Sequence, residues 1–385
     1  MKMKKLNFAL IFGLSLAFLS SCNEDDEDNE VITPVLEVPS TYSFTRNGET
    51  SVSFSGQTDR LDMLAEMKSY LGNGNSGEEI SSQTLLDMFA NENSPFANAE
   101  LNSSTKQLES KTFAPDITFF KAQITEAVTA SVDVAANQTV ADQGQSGRLE
   151  RGTSGKFVLV SEKGWEYQQI IEKGLMGAVF LNQIYNVYLT DSKTGDDVDN
   201  IAIAEGKNYT AMEHHWDEAF GYWGAPESLS ASLPDENDRF WAKYSYGREA
   251  YLGTATGLID GFLTGRTAIV NNNSAKREAA KLVIYSNFEL AAAGTALHYI
   301  NDAIVHINDG DFGNLMHSLS EAYAFVMALK YSPNKSITQS EIDSILNTHF
   351  GTEGDFWTVS VSSLNDAKDL LVNTYSELAP NADEI

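Results

Sequence analysis

The sequence predicts a mainly α-helical fold, a helical bundle with a minor β hairpin or ribbon, and three observations carry that reading. Beyond Ser161 apolar residues recur every three or four positions almost without interruption, most regularly between Lys276 and Asn308. Of the 385 residues 42% are hydrophobic and 10% aromatic, enough to fill a large core. Strand signals are confined to an alternating stretch around Asn47-Gly48 and to the short apolar run Phe157–Val160.

Taken in order, Tyr42, Phe44, Val52 and Phe54 alternate with polar residues on either side of Asn47-Gly48, which marks a hairpin. From Asp59 the period turns helical through Leu61, Leu64, Ala65 and Met67, and Gly72 to Gly77 breaks it. Leu85, Leu86, Met88 and Phe89 mark a second helix, and Asp116 to Ala130 a third. Residues 131–156 are rich in Gly, Gln, Ser and Thr and carry no helical period, so Phe157–Val160 reads as one strand of a small ribbon. Ser161 opens a capping pattern, and Glu166 to Leu189 forms a long amphipathic run. His214 to Trp223 is a further helix, stopped by Gly224 and Pro226. Helical stretches across 237–269 are interrupted by glycines at 247, 253, 257, 261 and 265.

The 276–308 segment sets Leu282, Tyr285, Phe288, Ala292, Ala296, Ile300, Ile304 and Ile307 on one face. Leu290, Ala293 and Leu297 make a second face apolar, which places this helix in the middle of the fold. Asn308-Asp309-Gly310-Asp311 turns the chain into an antiparallel neighbour from Leu315 to Leu329, and helices near 338–349 and 363–377 finish it. Residues 41–385 thus read as a single large helical domain, with 41–155 and 156–385 as its alternative halves.

Composition narrows the function. Asp and Glu number 54 against 26 Lys and Arg, a net charge of −28. Such a surface repels phosphate backbones, which argues against nucleic acid as a partner, and favours cations and basic partners. Cys22 is the only cysteine, so neither an internal disulfide nor a thiolate zinc site can form. Met1-Lys2-Met3-Lys4-Lys5 and the apolar run Leu6–Leu19 form a signal peptide over residues 1–21. That run is shorter than the ~20 residues a membrane-spanning helix needs.

The run closes on Leu19-Ser20-Ser21-Cys22, which resembles the bacterial lipobox and implies a lipid on Cys22. Residues 22–40 then read as a tether, with the acidic block Asn23–Glu30 followed by Pro34 and Pro39. The block serves as a spacer, or it resembles the acidic export signal of surface lipoproteins in Bacteroidetes. The second reading implies an outer-membrane lipoprotein on the cell surface; the first leaves it facing the periplasm.

Chemistry is written mostly in the histidines, of which there are six. His214 and Glu218, His298 and Asp302, and His317 and Glu321 are each four residues apart, and His306 extends the second stripe. Such pairs share a helix face at about 6 Å and can ligate one cation, or simply hydrogen-bond to each other. The run His214-His215-Trp216-Asp217-Glu218, with Glu213 before it, sets costly polar groups beside Trp216, Phe220, Tyr222 and Trp223. Burying them demands a cation or a tight hydrogen-bond network. The expected metal ligands are therefore His214, His215 and Glu218, with Asp217, His298, Asp302, His317, Glu321 and Glu172 as a second tier. The expected metal is divalent, iron or zinc. Asp191, Asp196, Asp197 and Asp199 form an acidic loop without the spacing of a calcium hand, so it reads as solvated. No Gly-x-Ser-x-Gly elbow, phosphate loop or His-Glu-x-x-His helix is present.

The stretch His215-Trp216-Asp217-Glu218, followed by Trp223-Gly224, resembles the His-x-x-Glu and Trp-Gly signature of imelysin-like proteins. Those are helical envelope proteins of bacteria associated with iron uptake and once classed as metallopeptidases. The match departs in two places: Glu213 stands where the family has glycine, and Trp-Gly lies one residue farther on. Across its length the chain more closely resembles a Bacteroidetes lipoprotein family built on a domain of unknown function. The stretches that carry this likeness are His215–Tyr222, Ser55–Arg60 and Gly174–Ala178.

Together these features imply an envelope lipoprotein that binds a metal ion or a metal-bearing ligand in nutrient uptake, beside an outer-membrane uptake system. One alternative is a non-catalytic accessory for surface glycans or proteins, offering Trp216, Trp223, Trp241, Tyr222, Tyr244 and Tyr246 as a contact surface. The other is a metallopeptidase with Glu218 as general base.

Overall fold

Asn47 and Gly48 both adopt positive φ, 56° and 84°, the backbone that a two-residue hairpin turn needs. They join β1 (Thr45–Arg46) to an antiparallel β2 (Glu49–Thr50), with Arg46 opposite Glu49. The computed structural model describes residues 35–229 and 238–385. The expected signal peptide, Cys22 and nearly all of the expected tether lie outside the described residues. Leu36–Ile385 form one compact unit.

Helix α1 (Ser55–Asn75) starts four residues before the expected point and runs through Gly72 and Gly74 to end at Ser76. Ser81 caps α2 (Ser82–Ala90) by accepting from the Thr84 amide, and Asn91 stops it in a left-handed conformation. A five-residue helix, α3 (Ala99–Ser103), has no clear sequence period. Helix α4 (Ile117–Asn137) outruns its expected end by seven residues, and Val134 on that extension is fully buried. The expected ribbon strand, β4 (Phe157–Val160), pairs antiparallel with β3 (Gly147–Glu150) in the register Gly147 to Val160.

The amphipathic run 166–189 is not one regular helix. It opens as α5 (Tyr167–Leu175) and then widens into π turns at Met176–Leu181 and Ile184–Tyr188. A side chain at Gly177 would press on Tyr331 at 2.8 Å, so the wide turn passes close against the chain beyond it. The short α6 (Asp191–Thr194) precedes α7 (Ala211–Trp223), which Gly224 ends at a φ of 86°.

Next come α8 (Trp241–Gly247), α9 (Glu249–Leu252) and α10 (Thr254–Val270). Here the glycine expectation fails in part. Gly247 and Gly253 lie at breaks, but Gly257, Gly261 and Gly265 sit inside α10, where they serve packing. A Cβ on Gly265 would stand 1.9 Å from the Trp216 ring, and one on Gly261 2.7 Å from Ile284.

The 36-residue α11 (Ser274–Asp309) is about 54 Å long at helical rise. It packs chiefly against α10 and α12 (Phe312–Ala328), as a central helix must. Its apolar stripe is less complete than expected, since Leu282 remains 59% exposed near the start of the helix. Two shorter helices, α13 (Gln339–Ser344) and α14 (Val361–Thr374), close the fold. Trp216, Trp223 and Trp241 are fully buried at its centre. Among the described residues no helix is long and apolar enough to cross a membrane.

Candidate functional site

Helix α7 is fixed at its start by a capping box. Thr210 accepts from the Glu213 amide, and the Glu213 carboxylate accepts from the Thr210 amide. Residues four apart then fall on two separate faces.

The inner face holds Glu213 and Asp217. Arg266, itself fully buried, donates to Glu213 at 2.9 Å and to Asp217 at 2.9 Å. Arg46 donates to the other Glu213 oxygen at 2.8 Å. The Tyr42 hydroxyl and the Ser53 amide complete the shell of Asp217, at 2.8 and 3.1 Å. Burial alone would raise the Glu213 carboxyl, but Arg46 and Arg266 outweigh it and hold the group below the usual range. Burial pushes the Asp217 carboxyl up to about 6 against the pull of Arg266, Tyr42 and Ser53, so it is ionised at neutral pH. Glu213 and Asp217 are therefore spent on a buried ion network. Nothing in the local sequence pointed to Arg46, Tyr42 or Arg266.

The outer face holds His214, His215 and Glu218, whose side chains are 30%, 20% and 17% exposed. The His214 Nδ1 lies 2.9 Å from the Ser53 carbonyl, and Tyr209 stacks on the ring at 4.5 Å. Its Nε2 faces Glu218 Oε1 at 3.8 Å. Glu218 Oε2 contacts His215 Nδ1 at 3.1 Å, and Gln57 donates to Oε1 at 3.2 Å. Burial lowers the His214 imidazole, outweighing the nearby Glu218 and the bond to Ser53. Burial would raise Glu218, but the bonds from His215 and Gln57 and the nearness of His214 leave it below the usual range. His214 and Glu218 border a hollow of about 280 Å³ between the start of α1, Tyr188 and Tyr209. Tyr188 ends the second π turn, an irregularity of a kind often found at sites.

The second-tier residues lie elsewhere. His317 sits between Glu166 at 2.6 Å and Glu321 at 3.6 Å. Glu172 pairs with Lys173 at 2.9 Å and Lys68 at 2.8 Å, and Tyr244 donates to Glu321 at 3.4 Å. Sequence reasoning named three members of this buried cluster but missed Glu166, which is 1% exposed just before α5. His298 and Asp302 form a separate, half-exposed pair on α11 at 3.6 Å. Among the described residues no ion pair or hydrogen bond joins either group to the α7 patch. In the acidic loop, Asp196 meets Arg277 at 2.6 Å, and Asp199 accepts from the amides of Ile201 and Ala202. No three His, Cys, Asp or Glu side chains among the described residues converge as a ready-made metal cage.

Compared with known proteins, the chain matches over residues 39–377 the family described as "Domain of unknown function (DUF4856)". No curated protein and no solved structure matches it.

Proposed function

The chain belongs to that family, and on that premise we propose that it is a cell-envelope lipoprotein which captures a metal ion carried by a small chelating ligand, in nutrient (iron) uptake. The observation that carries this reading is the setting of His214. With Nδ1 hydrogen-bonded to the Ser53 carbonyl, Nε2 is left as the free lone pair, directed at Glu218 Oε1 3.8 Å away. Metal-ligating histidines are held in this way, their second nitrogen fixed to a backbone oxygen. Two donors each about 2.0–2.2 Å from one ion lie at most about 4.3 Å apart, so the gap admits a cation.

His214 and Glu218 supply half of a tetrahedral set, with His215 beside them on the second carboxylate oxygen. The rest comes from the incoming chelator, which is why a metal-bearing ligand fits better than a bare ion. The lipobox and acidic tether support an anchored location in the outer membrane, beside an uptake system. The glycan-binding alternative draws no support from Trp216, Trp223 or Trp241, each fully buried.

The test uses untagged protein freed of metal on a chelating resin and titrated with Zn²⁺ or ferric nitrilotriacetate. Near-stoichiometric binding is expected, weakened by about 100-fold in His214→Ala and Glu218→Gln. Equal affinity in both variants removes the reading.

A further inference from the structure

The hollow beside the α7 patch has a second wall of opposite character. Arg60, Lys106, Lys111 and Lys207 line it, with Glu218 as its one carboxylate. The chain has twice as many acidic as basic residues, yet none of these three lysines forms an ion pair among the described residues. A shortage of carboxylates does not explain that.

The start of α1 faces the same space through Ser55 and Gly56. No side chain caps this helix and no acidic residue stands in its first turn; the Gln57 and Thr58 amides turn to the Phe54 carbonyl, which leaves those of Ser55 and Gly56 at the hollow. The stem of Lys106 nonetheless runs directly past Gly56, where a Cβ would meet its Cε at 2.7 Å and its Nζ at 3.4 Å. A lysine laid against the positive end of a helix is repelled unless an anion comes between them. Lys111 records the same crowding: burial first, then Arg60 and Lys106, lower its ammonium below the usual range.

We propose that this hollow binds a small oxyanion, a carboxylate or phosphate group, between the amides at the start of α1 and the ammonium groups of Lys106, Lys111 and Lys207. At about 280 Å³ the space lies at the lower edge of small-molecule sites, about 300–1,000 Å³, which suits a compact ligand. Arg60 is held to the carbonyls of Gln107 and Gly56 at 2.9 and 3.0 Å, so it contributes field, and the lysines make the contacts. The site goes beyond the metal reading, because anion binding here requires no metal.

Metal-free full-length protein is titrated calorimetrically with citrate in one arm and inorganic phosphate in the other. Saturable binding is expected in at least one arm and identifies the oxyanion. It weakens by about tenfold or more in Lys111→Met/Lys207→Met, since charge-assisted bonds are lost. It also weakens with added salt. An unchanged circular dichroism spectrum shows that the variant is folded. His215→Ala, whose side chain does not border the hollow, keeps the anion affinity while weakening zinc binding, which separates this site from the metal reading. Absence of binding in both arms, equal affinity in the double lysine variant, or loss of the anion in His215→Ala overturns the inference.

Discussion

Arg266 is the side chain on which the inner face of α7 depends. Its guanidinium, 0% exposed, lies between two carboxylates that are 1% and 0% exposed. Replacing it with Met leaves Glu213 and Asp217 buried with less than their share of positive charge. Unfolding in urea should show a loss of about 3–5 kcal/mol, the cost of breaking a buried pair from one side. A loss below about 1 kcal/mol, typical of surface substitutions, would mean that the network contributes little. At this scale the sequence was half legible. Glu213 and Asp217 share the spacing of His214 and Glu218, so both pairs read as ligand-type residues. Which pair faces inward is decided by Tyr42, Ser53 and Arg266, which lie far away in the chain and carry no local signal.

Among the elements, α7 owes its start to Thr210. Thr210→Ala removes one half of the capping box and should cost about 1 kcal/mol in thermal or urea unfolding. No change in stability would show that Arg46 and Arg266 alone fix the helix start. Helix positions were largely readable, because the 3.6-residue period survives in α1, α2, α4, α7, α11 and α12. Their ends were less so. Glycine was read as a breaker, and at Gly253 it is one. In α10 glycine instead lets Trp216 and Ile284 approach the backbone, a tertiary need that periodicity cannot reveal. The π turns after α5 escaped for the same reason, since widening by one residue leaves the apolar run uninterrupted.

For the whole molecule, the response to acid follows from how carboxylates are used. Asp311 is lowered because bonds from Asn314 and Gly152 overcome its burial; Glu341 is lowered by the backbone and hydroxyl of Thr338. Glu213 is lowered by Arg46 and Arg266 in the same way. Each contributes stability that is fully present above its ordinary value, 3.8 for Asp311 and 4.5 for the two glutamates, and is lost as pH falls through the lower native value. Asp217, raised by burial to about 6, works the other way between 3.8 and 6, where the native state holds its proton more tightly. Lowered carboxylates of this kind, Glu218 among them, should dominate below pH 4.5, so the melting temperature should drop between pH 4.5 and 3, and less so in Glu213→Gln. An equal melting temperature at both ends would contradict this. Ser53 gives the arrangement one more property. Its carbonyl holds His214 on the wet side of α7 while its amide holds Asp217 on the dry side. One residue thus serves both faces of α7, through two successive peptide units, so the backbone that orients the imidazole also steadies Asp217.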